Sequence, residues 1–251
     1  MRNAVAAALL ASTMLAGQVE AWTVTAKGAV VSSGSANAVI ASQTYTVGSI
    51  VWLFGMSRGS TSSDNLTLTG SLTGAIPVDQ IQVCATGGSA NKLFQAWVYA
   101  AGGSETWTLN NSAGAVTSLS VRSAQIDGAA ATSTEDLGAR NCNTGQGLNP
   151  NITTSGGSLA ESGELAVSVV GRIGSSLGYT EDPAWVQIGG EGGNTNLRDA
   201  GGYKEAPSIS PVTHSVTVTQ SNSNIAIMTF RAASAPPPIA PRMGPLLGVQ
   251  N

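Results

Sequence analysis

From Trp22 onward the apolar residues fall in short runs of β character. "WTVTAKGAVV" (22–31) begins with alternation, while "SIVWLFGM" (49–56) is almost continuously apolar. Alternation marks a strand with one dry face, and a short continuous run marks a strand covered on both faces. "LTLTGSL" (66–72), "IQVCAT" (81–86), "KLFQAWVYA" (92–100), "ETWTLNN" (105–111) and "SLSVRSAQI" (118–126) follow, separated by Gly, Ser and Asn clusters. Strands resume with "ELAVSVVG" (164–171), "AWVQIGG" (184–190), "LRDAGGYKEA" (197–206), "HSVTVTQ" (214–220) and "IAIMTFRAA" (225–233). The pattern predicts an all-β fold: an antiparallel β-sandwich, jelly-roll-like, spanning 22–233.

Between the two runs lies "DGAAATSTEDLGARNCNTGQGLNP" (127–150), read as a long loop in which "EDLGAR" can form one helical turn. The runs echo one another. "GSIVWLFG" resembles "GELAVSVVG", and "TWTLNNS" resembles "SVTVTQS". "AWVYAAGG" resembles "AGGYKEAP", matching Tyr99 with Tyr203, and "SLSVRSA" resembles "AIMTFRA", matching Arg122 with Arg231. The echo reads either as two similar halves, about 22–126 and 151–233, joined by the long loop, or as two sheets of one sandwich with equivalent strands.

Both ends of the chain depart from the strand pattern. Residues 1–21 carry Arg2, an apolar run from Ala4 to Gly17 and the small-residue sequence Val19-Glu20-Ala21. That is the layout of a secretion signal, too short to span a bilayer. The same stretch also reads as a retained apolar arm, with Leu9, Leu10, Met14 and Leu15 as contacts. The other end, 234–251, holds five of the ten prolines. Proline lacks an N–H and fixes φ, which excludes this segment from helices and sheet interiors. Its Ile239, Met243, Leu246 and Leu247 suit an arm that docks on a neighbour.

Composition narrows the classes. Charged residues make up 10% of the chain and the net charge is −3, with no basic stripe, so there is no electrostatic footprint for nucleic acid. The two cysteines, Cys84 and Cys142, are too few for a zinc site and are a candidate disulfide outside the cytosol, with two free thiols as the alternative. No catalytic residue, cofactor or metal ligand set is assigned. "GSSLG" (174–178) matches G-x-S-x-G around Ser176, with Asp182 and His214 downstream, but the strand–turn–helix setting of that motif is missing. The lone His214, in "THSVTVT", is read as solvent-facing. The carboxylates of the middle region, Glu135, Asp136, Glu164 and Asp199 among them, are read as solubilising groups on loops and edges. Trp52, Trp97 and Trp107 are read as core, and Trp185 as the tryptophan best placed to meet a glycan.

The second half, with Tyr203-Lys204-Glu205-Ala206, the "SVTVT" strand and the closing Thr229-Phe230-Arg231-Ala232, resembles a β-sandwich module of tailed-bacteriophage virion proteins and some exported bacterial proteins. The first half resembles it too, with Ala100 and Ala101 in place of Lys and Glu. The resemblance spans about 48–233 and implies a non-enzymatic virion component: a head decoration, spike, neck or tail accessory protein. Its partners would be copies of itself and other virion proteins, with no membrane span. The alternative is a secreted or periplasmic bacterial sandwich, freed of residues 1–21, that binds glycans or surfaces such as a host-surface glycan.

Overall fold

The computed structural model describes residues 22–233 except 34, 60–65, 86–90, 112–117, 130–133, 175–176, 194–196 and 220–221. The fold is an antiparallel β-sandwich architecture built in four layers. The first inner sheet has five strands in the order β1 (Thr23–Ser33), β9 (Ser118–Asp127), β3 (Ile50–Arg58), β7 (Asn91–Tyr99) and β6 (Ile81–Ala85). The second inner sheet also has five: β10 (Asn141–Gln146), β16 (Ser223–Phe230), β12 (Leu165–Arg172), β14 (Arg198–Glu205) and β13 (Val186–Gly193). An outer sheet of β2 (Asn37–Tyr45), β8 (Gly103–Asn111), β4 (Leu66–Gly70) and β5 (Gly74–Ala75) covers the first inner sheet. A two-stranded sheet of β11 (Asn151–Thr153) and β15 (Thr213–Ser215), with its loops, covers the second.

The apolar run of β3 follows from this layering. Val51 and Leu53 point outward to Ile40, Leu68, Trp107 and Leu109. Ile50, Trp52, Phe54 and Met56 point the other way, to Leu165, Val167, Val169, Met228 and Phe230 of the second inner sheet. The central strand β12 is likewise buried throughout, with Ala166 and Val170 on its outer side. Each such side chain taken out of water contributes roughly 1.5–3 kcal/mol, and those between the inner sheets form one continuous apolar cluster.

The two inner sheets repeat one strand order. β1, β9, β3, β7 and β6 correspond in sequence to β10, β16, β12, β14 and β13. The turn before each central strand is built alike: Gly48 N–H donates to Ala100 O and Ala100 N–H to Ser49 O, as Gly163 N–H donates to Ala206 O and Ala206 N–H to Glu164 O. Both glycines have φ near +80°, the left-handed region in which a Cβ is penalised. The edge contacts also exchange, since β1 lies against β13 and β6 against β10.

These registers correct two residue matches made on local similarity. Tyr203 pairs with Val167, which stands as far after Gly163 as Trp52 stands after Gly48, and Trp52 pairs with Trp97. Tyr203 therefore corresponds to Trp97, not Tyr99. By the same reckoning Arg122, opposite Phe54, corresponds to Ala226, opposite Val169, and Arg231 lies beyond the strand. The stretch 127–150 is not one loop. It holds a 3₁₀ turn at Leu137–Ala139, capped by Asp136 accepting from Gly138 N–H, and then β10. The sequence "NCNTGQ" of β10 has no apolar alternation, because it is an edge strand made by pairing with the distant β16.

Close approach of β9 to β3 gives a direct test. A Cβ on Gly55 would lie 2.1 Å from the backbone oxygen of Ser120. Gly55→Ala should therefore lower unfolding free energy by about 1–3 kcal/mol in urea titration. Unchanged stability would mean that this ladder shifts freely.

Candidate functional site

Two groups of buried polar side chains lie at the two edges of the seam. At one edge Arg122 rises from β9 toward the second inner sheet. Its guanidinium donates to the carbonyls of Gly190 at 2.6 Å and Gly189 at 2.9 Å, with Ile188 O at 3.5 Å. Phe54 lies under it, with the ring centre 5.9 Å away. "IGGEGG" (188–193) makes this possible. The β13–β14 register breaks between Ile188 and Gly192, and Gly189 and Gly190 have φ near +68°, so successive carbonyls converge on one cation. A Cβ on Gly192 would sit 2.8 Å from Arg122 Nε. Asp199 of β14, wholly buried, stands 3.6 Å from Arg122 Nε. Burial pushes its carboxyl up from the ordinary value, and the Arg122 charge opposes that rise. A small cleft of about 130 Å³ opens beside this cage, between Lys27, Gly28, Phe54, Arg122 and Ile188.

At the other edge Cys84 of β6 and Cys142 of β10 form a disulfide, with Cα atoms 5.8 Å apart. It ties the two inner sheets together. Beside it runs a chain of amide hydrogen bonds. Trp52 Nε1–H donates to Gln95 Oε1 at 3.3 Å, Gln95 to Gln82 Oε1 at 2.6 Å, and Gln82 to Asn141 O at 2.7 Å. Glu135, buried, accepts from Trp97 Nε1–H and from two nitrogens of Arg140, while Arg140 also donates to Asp79 O at 2.7 Å. A second cleft, about 160 Å³, is lined here by Asp79, Gln80, Trp97, Thr134, Glu135 and Leu137.

His214 and Trp185 overturn two sequence expectations. His214 is fully buried, as its parity with Val212, Val216 and Val218 requires: all four face inward. That spacing was the signal available in the sequence. Its Nε2 lies 2.6 Å from Glu181 Oε1, and Tyr179 O–H donates to the other Glu181 oxygen. Burial, and then the Glu181 hydrogen bond, push the Tyr179 hydroxyl far up, which keeps it a donor. Trp185 is buried rather than offered to a glycan. Its ring stacks on His214 at 4.0 Å and its N–H donates to Thr213 O at 3.2 Å. The turn Asp182–Trp185, closed by Trp185 N–H on Asp182 O, swings the indole inward. The G-x-S-x-G reading finds no support: His214 pairs with Glu181, Asp182 caps Ala184 N–H at 2.8 Å, and Ser176 lies outside the described residues.

Of the carboxylates read as solubilising, Glu135, Asp136, Glu164 and Asp199 are buried, whereas Asp127, Glu161, Glu181, Asp182 and Glu191 are half-buried and Glu205 is exposed. Besides Glu135 and Asp199, Asp136 accepts from Gly138 and Ala160 N–H, and Glu164 accepts from Glu161 N–H at 3.0 Å. Burial, reinforced by the nearby Asp136 charge and opposed by the hydrogen bonds, raises the Glu164 carboxyl above the ordinary glutamate value. Sequence reasoning missed Glu135 and Asp199 because Trp97 and Arg122, which face them, lie far away in the sequence. The expected arm contacts Leu9, Leu10, Met14, Leu15, Ile239, Met243, Leu246 and Leu247 lie outside the described residues. Among the described residues, no three His, Cys, Asp or Glu side chains cluster to hold a metal, and no helix is long and apolar enough to cross a membrane. Comparison with family models, curated proteins and solved structures returns no match to this chain. The arrangement as a whole positions strands: Arg122 and Glu135 link residues of the two inner sheets and their loops, while both Asp199 oxygens and Glu164 Oε2 are buried without a hydrogen bond.

The Arg122 cage should carry measurable stability. Arg122→Met leaves Asp199 buried without its cation and the Gly189 and Gly190 carbonyls without that donor, at a cost of about 3–5 kcal/mol. Arg122→Met combined with Asp199→Leu should recover much of that loss in urea titration, because no charge is then stranded. Equal losses in both variants would refute the pairing.

Glu164 should leave a pH signature. A carboxyl raised by folding holds its proton more tightly in the folded chain, so its contribution to stability falls as pH climbs from the unfolded to the folded pKa. Glu164→Gln should thus melt above the parent at pH 7. The gap should shrink as pH falls through the raised value. Parallel melting curves across pH would rule out this placement of Glu164.

Proposed function

We propose that this chain is a non-enzymatic structural subunit of an assembled particle, and that the particle is a tailed-phage virion. The observation that carries the structural role is the seam. Two sandwiches are stacked face to face, and the ionisable groups buried there tie one sheet to the next rather than facing a reactant. The virion assignment rests on the likeness of the Tyr203–Ala206 and Thr229–Ala232 segments to virion sandwich modules. In this fold Tyr203–Glu205 lies in β14 and Thr229–Phe230 ends β16, the two strands flanking β12.

A second reading, an exported bacterial surface protein, is favoured by the Cys84–Cys142 disulfide, since such bonds persist in oxidising compartments. Virion surfaces tolerate the same bond, so the disulfide alone does not separate the two. Quantitative mass spectrometry of purified particles does. The virion role predicts the protein at fixed stoichiometry in particles, with an intact mass that includes residues 1–21. Recovery from periplasm or medium with those residues removed, and none in particles, would replace it by the exported reading.

A further inference from the structure

We propose that the cleft at the Trp97 edge of the seam is the docking site for the proline-rich segment Pro236–Leu247 of a second copy of this chain. The inference rests on the reading of the chain as an assembly subunit and names the contact by which it assembles. Trp97 lies at the cleft, its tilt fixed by the Glu135 hydrogen bond and by edge-on contacts with Tyr99 at 5.6 Å and Phe230 at 5.9 Å. The rim is open and mixed: Leu137 is 61% exposed beside the exposed Asp79, and Val78, next to Asp79 in the chain, is 86% exposed. Gln80 Oε1 lines the same cleft, buried and without a hydrogen-bond partner. Aromatic-lined grooves take proline-rich segments, and here Trp97 and Leu137 line the cleft, while a backbone N–H of a non-proline residue such as Ile239 can answer Gln80 Oε1.

The occupant follows from sequence and from charge. Residues 236–247 alternate proline with Ile239, Met243, Leu246 and Leu247, and carry one cation, Arg242. The cleft rim carries the exposed carboxylate of Asp79. The last described strand ends beside the cleft. Arg231 N–H donates to Thr134 O at the cleft, and two residues on Ala233 N–H donates to Gly128 O. In an assembly of many copies, the segment of one copy and the cleft of the next are complementary in charge and in apolar content. The contact joins two different patches, so it propagates from copy to copy into a ring or a filament.

The test is sedimentation velocity of the full chain over a range of concentrations, with charge reversal on each side. The full chain should self-associate reversibly. Asp79→Arg and Arg242→Asp should each weaken association about tenfold, and the combined variant should restore it. Leu137→Asp should weaken it at least as much. A chain that stays monomeric, or association that ignores all four variants, overturns the proposal. A monomer whose Arg242 resists trypsin would place the chain's own tail in the cleft and overturn it equally. If the protein is present in particles while these variants associate normally, the docking contact fails and the assembly role stands.

Discussion

The burial of β3 and β12 on both faces is the constraint on which the other features rest. A strand with two dry faces cannot be covered by one partner sheet, so each inner sheet needs an outer sheet on one side and the other inner sheet on its second. Four layers follow. So does the need to bring polar edges together at the seam, where water is excluded and every buried donor or acceptor has to find a partner within the protein.

The two edges of the seam meet that need by different chemistry in corresponding places. One edge has a covalent link and a chain of amides from Trp52 to Asn141. The other has a guanidinium held by the carbonyls of a glycine bulge and by a buried carboxylate. The second arrangement explains a local composition that has no other evident use. Successive carbonyls can turn toward one cation only where the backbone reaches positive φ, and "GGEGG" supplies that freedom. The edges also leave the two clefts, and the cleft beside Trp97 shares its rim with the point where the last strand ends.

Individual residues show how far the sequence could be read. Alternation in β8 placed Trp107 inside, and the unbroken apolar run of β3 announced a doubly covered strand; both readings hold. His214 was equally legible by its parity with Val216 and Val218, but its polarity argued for solvent until Glu181 and Tyr179 appeared beside it. Trp185 was misplaced because a turn, not an alternating strand, sets its direction. Strand β10 was invisible because its polar sequence records no buried face.

Short-range periodicity thus determined the class of fold, the strands with dry faces and the aromatic core, because side-chain direction in a strand alternates with a period of two. The same sequence also located the proline-rich end that cannot enter a sheet. Only the tertiary structure decided the layer count, the correspondence of Tyr203 with Trp97 rather than Tyr99, and the partners of Arg122, Glu135, Asp199 and His214. Those depend on contacts between residues tens of positions apart, set by how whole sheets stack, and a one-residue shift in register would have sent each of these side chains to the opposite face.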